Sequence, residues 1–225
     1  MRTFLRASAV VAAAGLLLAP AASAASAVTA VAAAPAGPAA TVGITGGVTT
    51  MTTGPGLPSL LFRKGISLLA TTPATATLTG GSRLFGGLPT GPGPGTGSVP
   101  ALRFVFPVSS GRAGLHPVSG RVSQRGGVLF VRAGSDRTVL FSSFVMDFGH
   151  REVTAVVDGD PRVRVALFRL DLSHARVRPA SHTIRVTGIG LTVTGAGARA
   201  VDTGLGTTAL SPGTQAGTAT TVLRT

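Results

Sequence analysis

The chain has 225 residues and no Cys, Trp or Tyr, and its 20 Lys plus Arg against 7 Asp plus Glu give a formal net charge of +13. Without Cys there is no disulfide, thiol nucleophile, thiolate metal site or c-type haem attachment, so stability rests on packing. Without Trp and Tyr the amphipathic aromatic groups that commonly anchor carbohydrate or protein partners are missing as well.

Arg2 and Arg6 precede the apolar run Ala9–Leu18, and small-residue sites follow at Ala22-Ser23-Ala24 and Ala25-Ser26-Ala27. This pattern predicts a secretory signal peptide over residues 1–27, with cleavage near Ala25 or Val28. The apolar core is short for an anchor, and no later segment reaches the roughly 18 apolar residues that would span a bilayer. The expectation is a secreted protein, extracellular or loosely associated with the cell envelope, with no transmembrane segment and no nucleic acid as a routine partner. Loss of Arg2 and Arg6 would bring the charge from +13 to +11.

Residues 28–40 are an Ala/Pro/Gly stretch without a period and read as a flexible lead-in. A single β-rich domain is expected over 41–225. Within it, Leu57, Leu60 and Leu61 recur at helical spacing behind Pro58 and predict one short helix over Pro58–Lys64, ended by Gly65. The Gly/Pro density of 80–100 excludes a regular ladder or helix and predicts a long surface loop.

From Ala101 the chain reads as short strands separated by turn signals. Leu102, Phe104 and Phe106 alternate with Arg103 and Val105, and Pro107 is expected to close that strand. Gly120–Ser123 and Val128–Arg132 follow. Ala133-Gly134-Ser135-Asp136 then turns into Arg137–Phe148, where Leu140, Phe144, Met146 and Phe148 are expected on one face and Ser143 and Asp147 on the other.

Glu152–Val157 turns through Asp158-Gly159-Asp160-Pro161 into Arg162–Leu172. There the apolar parity switches from Val163, Val165 and Leu167 to Phe168, Leu170 and Leu172, which predicts a bulge near Ala166–Phe168. The same switch occurs across Gly188, between Ile184 and Val186 on one side and Ile189, Leu191 and Val193 on the other. A short helix is expected over Gly195–Val201 and a closing strand over Thr218–Leu223. This pattern predicts an antiparallel β-sandwich, with a partly open β-barrel as the alternative.

Several stretches carry a family resemblance: Phe104-Val105-Phe106-Pro107-Val108, the run Gly120–Val128, Val165-Ala166-Leu167-Phe168-Arg169-Leu170-Asp171-Leu172, and Gly217-Thr218-Ala219-Thr220. They resemble secreted actinobacterial β-rich proteins that are distantly similar to the haem-transport-associated (HtaA-like) domain. The resemblance implies a secreted β domain. Gln124 or Arg125 stands where similar sequences often have His ahead of the paired glycines. A haem-binding member would be expected to use a Tyr ligand, and this chain has none. No cofactor is therefore expected, with haem on a His as the alternative.

The four His, at 116, 150, 174 and 182, lack metal-ligand spacing, although a tight connection over Arg176–Ala180 would let His174 and His182 approach each other. Asp158-Gly159-Asp160 has the spacing of part of a cation loop but is equally a turn. There is no nucleophile elbow; Ser142 or Ser143 with His150 and Asp147 is the one triad the strands would allow. The acidic residues are too few for a confident glycosidase pair, and Gly126-Gly127 lacks the ending of a phosphate loop.

The function expected is a non-enzymatic secreted or envelope-associated module that binds an anionic cell-wall polymer or lipid surface. A haem- or metal-binding module and a secreted hydrolase are the alternatives. Arg162, Arg164 and Arg169, on one face of a strand, are the candidate anion contacts. Scattered, singly placed arginines on a solvated surface account for the charge equally well.

Overall fold

The computed structural model describes residues 41–79, 101–115 and 118–225. The expected leader, lead-in, 80–100 loop and His116 lie outside the described residues. In chain order the elements are β1 (Thr41–Ile44), β2 (Gly46–Thr53), α1 (Leu57–Arg63), β3 (Ile66–Thr71), β4 (Thr75–Thr79), β5 (Ala101–Leu115), β6 (Val118–Gln124), β7 (Gly127–Arg132), β8 (Thr138–Asp147), β9 (Glu152–Val157), β10 (Asp160–Asp171), β11 (Arg176–Ala180), β12 (Thr183–Val193), α2 (Gly195–Leu205) and β13 (Gln215–Arg224). The all-β class holds.

Of the two architectures, the barrel is the one that forms, and it is closed where a sandwich would leave two sheets with free edges. The ring runs β5-β2-β13-β12-β10-β9-β8-β6, all antiparallel, and β6 completes it by pairing with both β5 and β8. Closure removes the edges that would otherwise template association. β1 and β4 add to β5, β7 and then β3 to β8, and β11 to β12.

The inward faces form one core that includes Phe104, Phe106, Phe141, Phe144, Met146, Phe148, Ile189, Leu191 and Leu223. The rings of Phe106 and Phe144 meet edge to face with centroids 5.1 Å apart, a favoured aromatic geometry. Four polar side chains, Thr49, Thr53, Gln124 and Thr221, also point inward and are buried, and Thr53 Oγ1 accepts the Leu102 N–H at 2.9 Å. Gln124 Nε2 donates to Thr49 Oγ1 at 3.1 Å, and Thr49 and Thr221 share a hydroxyl–hydroxyl hydrogen bond of 3.1 Å. Burial is tolerated because each group has a partner.

Both parity switches are bulges. In β10, Ala166 pairs with Thr154 and Phe168 with Val153, which leaves Leu167 as the extra residue. In β12, Val186 pairs with Thr221 and Ile189 with Ala219. Gly188 sits in that step at φ +74°, and a Cβ there would lie 2.4 Å from the carbonyl oxygen of His174. Only glycine fits such a backbone at so close an approach.

A third bulge corrects the expected face of β8. Ladder register slips between Ser142 and Val145, with Ser143 at φ +52°, so Val139 and Phe141 point inward before it and Phe144 and Met146 after it. Leu140 therefore lies on the other face. β5 likewise does not stop at Pro107. That residue pairs with Val48 of β2 on one side; on the other it lies between the β4 and β6 ladders, where its carbonyl accepts the Arg125 N–H at 2.9 Å.

The helices form as expected, α2 four residues longer. Thr194 caps it by accepting the Gly197 N–H, Gly206 closes it in the left-handed region, and the Arg132 guanidinium donates to the terminal carbonyls of Leu205 and Gly206. A cation at a helix C-terminus complements its dipole. Leu57 and Leu61 of α1 and Val201 and Leu205 of α2 are buried against the barrel end where β12 finishes and β13 begins.

Candidate functional site

The barrel interior is nearly full. Its apolar cavity, lined by Phe104, Phe106, Phe141, Phe144, Leu191 and Val193 among others, measures about 70 Å³. An engineered cavity that holds benzene is about 150 Å³, so this void admits neither a porphyrin nor an acyl chain. A ligand must be met on the outside.

At the barrel end away from the helices, ladder register lines up a row of outward side chains. Arg112 of β5 stands opposite Arg121 of β6, Arg121 opposite Asp147 of β8, Asp147 opposite Glu152 of β9, and Glu152 opposite Arg169 of β10. Like charges directly opposite each other destabilise a sheet; Arg121 is relieved by Asp147, on whose Oδ2 its Nε donates.

Asp147 is the centre of the cluster. It is only 5% exposed although it lies on the outer wall. Its Oδ1 accepts the His150 backbone N–H at 2.9 Å and its Oδ2 meets His150 Nδ1 at 2.9 Å. Burial alone would push the carboxyl up, but the His150 backbone hydrogen bond, Arg121 and the His150 ring outweigh it and bring the pKa down to about 2. The carboxylate is thus held charged and fixes both an arginine and an imidazole.

These groups flank a shallow, open groove that also takes in Ser110, Ser123 and Thr41, with Gly111, Gly120 and Gly149 between them. Gly120, at φ +96°, is where β5 and β6 come together; a Cβ there would lie 2.0 Å from the Arg112 carbonyl oxygen. The side chains of Arg121 and His150 are 67% and 69% exposed, so both are available to a ligand. A cation pair of this kind, tethered at one side by a buried carboxylate, is suited to charge-assisted hydrogen bonds with a carboxylate or phosphate.

The residues singled out from the sequence are dispersed. Arg164 and Arg169 are exposed on the outer wall of β10, and the Leu167 bulge keeps them on the same side as expected. Arg164 Nη1 donates to the Ser143 carbonyl at 3.0 Å and to Thr154 Oγ1 at 3.1 Å. Arg162 departs from the expectation. Register jumps between Asp160 and Arg164, so Arg162 falls outside the ladder, its N–H held by Asp160 Oδ1 at 2.9 Å.

Asp158 is in the β9–β10 turn, where its Oδ1 accepts the Leu140 N–H at 2.9 Å, and Asp160 opens β10 opposite Val157. His174 and His182 do not approach each other. β11 is an extended strand with one at each end, because Arg176–Ala180 pairs with β12 instead of folding tightly. Among the described residues no group of three or more His, Cys, Asp or Glu could hold a metal. The His150–Asp147 half of the triad does form, but Ser142 and Ser143 are not in the groove, since the β8 bulge stands between them and Asp147. Arg112 and Arg121 carry no signal in the sequence. Only the register of β5, β6 and β8 brings them beside Asp147, and the Asp-x-x-His spacing of 147 and 150 is the one local hint.

No protein-family model and no curated protein matches the chain. Among solved structures it is similar to the C-terminal domain of HtaA from Corynebacterium glutamicum, with TM-score 0.50 and 17% identity over 81% of this chain and 98% of that one. A domain-swapped dimer of a histidine-to-alanine variant of the same domain aligns with TM-score 0.44 and 16% identity, over 74% of this chain and 88% of that one. At this identity the likeness is one of fold: the chain has the barrel of the HtaA C-terminal domain, as the sequence resemblance implied.

Proposed function

We propose that the protein is a non-enzymatic, secreted or envelope-associated barrel module that holds an anionic group of a cell-wall polymer in the groove of Arg112, Arg121 and His150. The observation that carries this reading is the directly opposed arginine pair, one member of which is fixed by a buried carboxylate at an open, polar groove. The net charge supports it, because a basic surface concentrates polyanions around the site.

The test is calorimetric titration with a soluble poly(glycerol phosphate). Binding is expected at low salt and is weakened at about 0.5 M salt, where exposed charges are screened within a few ångströms. Arg112→Ala with Arg121→Ala should weaken it at least tenfold and flatten the salt dependence. An unchanged affinity rejects the groove. The parallel variant Arg162→Ala, Arg164→Ala, Arg169→Ala then reports on the alternative contacts of β10.

A haem reading draws on the HtaA-like fold and on one feature of the groove: Asp147 engages Nδ1 of His150, the arrangement that orients an imidazole to ligate metal through its other nitrogen. The surroundings do not fit the group. Among the described residues the groove is lined by Arg, Ser, Thr, Gly, Asp and His, with no aromatic or large aliphatic side chain to cover a porphyrin face. Haem titration discriminates the two readings. A Soret band lost in His150→Ala but kept when His174 and His182 are replaced would favour haem over the polymer.

A further inference from the structure

A second basic surface lies on strands that take no part in the groove. β2, β11, β12 and β13 contain no Asp or Glu, and they pair side by side as β11-β12-β13-β2. On their outer face Arg178 stands directly opposite Arg185, Arg185 opposite Val222, and Val222 opposite Val48. Arg176 is two residues from Arg178 on the same face, opposite Thr187, and Arg224 is opposite Thr183 and Gly46. Ile184, Val186, Thr49 and Thr221 are the buried, inward residues of these strands, which fixes the arginines as outward.

All four arginines are exposed, and among the described residues the only ion pairs are those of Asp147. An arginine pair directly across a ladder with no acid on four strands is a standing repulsion that an external anion would relieve. Neighbouring positions are about 4.8 Å apart across strands and about 6.7 Å apart along them.

The mixture of charge and apolar surface on this face decides between partners. Val48, 38% exposed, and half-buried Val222 form an apolar strip beside Arg185 and Arg224. Cations around a small apolar strip match a headgroup layer, where guanidinium groups meet phosphates while apolar atoms reach the acyl boundary. We propose that this face docks on an anionic lipid bilayer surface through Arg176, Arg178, Arg185 and Arg224, with Val48 and Val222 against the lipid.

The experiment is co-sedimentation with vesicles of phosphatidylcholine alone or with 30 mol% phosphatidylglycerol, at low and at high salt. Wild-type and variant chains are prepared identically, so that anything N-terminal to Thr41 is common to all. Binding is expected only to the anionic vesicles and only at low salt. At about fivefold per arginine, the fourfold Arg→Ala variant should lose at least a hundredfold in partition, with an unchanged far-ultraviolet spectrum. The fourfold Arg→Lys variant should keep binding within a few-fold, since surface potential acts on charge, not on guanidinium geometry. Arg112→Ala with Arg121→Ala should bind vesicles as wild type does, which separates this surface from the groove. Wild-type affinity in the fourfold Arg→Ala variant, or no wild-type binding to anionic vesicles at low salt, overturns the proposal. So does binding to soluble poly(glycerol phosphate) that is lost in the fourfold Arg→Ala variant while vesicles are ignored, which would make the face a polymer site.

Discussion

At the scale of single residues, Asp147 connects stability to the candidate site. Its folded pKa of about 2 lies below the ordinary carboxyl value of 3.8, so the folded state binds this proton less readily than the unfolded chain. The resulting stability is fully present above the unfolded value and is lost as pH falls from about 4 through 2. With Arg121 and His150 both solvent-screened, its size should be on the order of 1–2 kcal/mol. Asp147→Asn is expected to lower the unfolding free energy measured by urea titration at pH 7 by that amount and to remove part of the decline in stability between pH 5 and pH 2. An unaltered acid limb would show that the carboxylate is not linked to folding. The partners of Asp147 differ in how they could be seen beforehand. His150 is three residues away and visible in sequence, whereas Arg121 is 26 residues away and visible only through register.

At the scale of elements, the bulges do what the broken parity implied. A strand whose apolar residues change parity must gain a residue to keep one face inside, and β10 and β12 both do so at the positions where the pattern breaks. Gly188→Val should therefore cost at least about 2 kcal/mol, since it combines a left-handed backbone with a backbone collision. A thermal melt matching wild type would place the bulge elsewhere. In β8 the bulge is hidden from the pattern for a physical reason. Val139, Leu140 and Phe141 are all apolar, so the alternation there is ambiguous, and the slip at Ser142–Val145 is marked by two serines and no glycine. The short helices were legible because Pro58, Gly65 and the Gly-Ala run after Thr194 are local signals, although the capping role of Arg132 on α2 spans 73 residues.

At the scale of the whole molecule, closure of the ring is the decisive event. β13 pairs along most of its length with β12 on one side and β2 on the other, and the buried hydrogen bond between Thr49 and Thr221 joins positions 172 residues apart. Removing Gln215–Thr225 would expose the edges of both neighbours and the core residues beneath, so the truncated chain should lose native far-ultraviolet signal and aggregate through open strands. A soluble, cooperatively melting product would contradict the closed ring.

The sequence by itself determined the β class, the turns, the helices and two of the bulges, because alternation, glycine and proline act over a few residues. Sandwich or barrel, and the gathering of Arg112, Arg121, Asp147 and His150 or of Arg176, Arg178, Arg185 and Arg224, were decided only by tertiary structure. Which strands become neighbours depends on the summed packing of distant segments, and residue patterning within a strand carries no record of the strand it will lie beside.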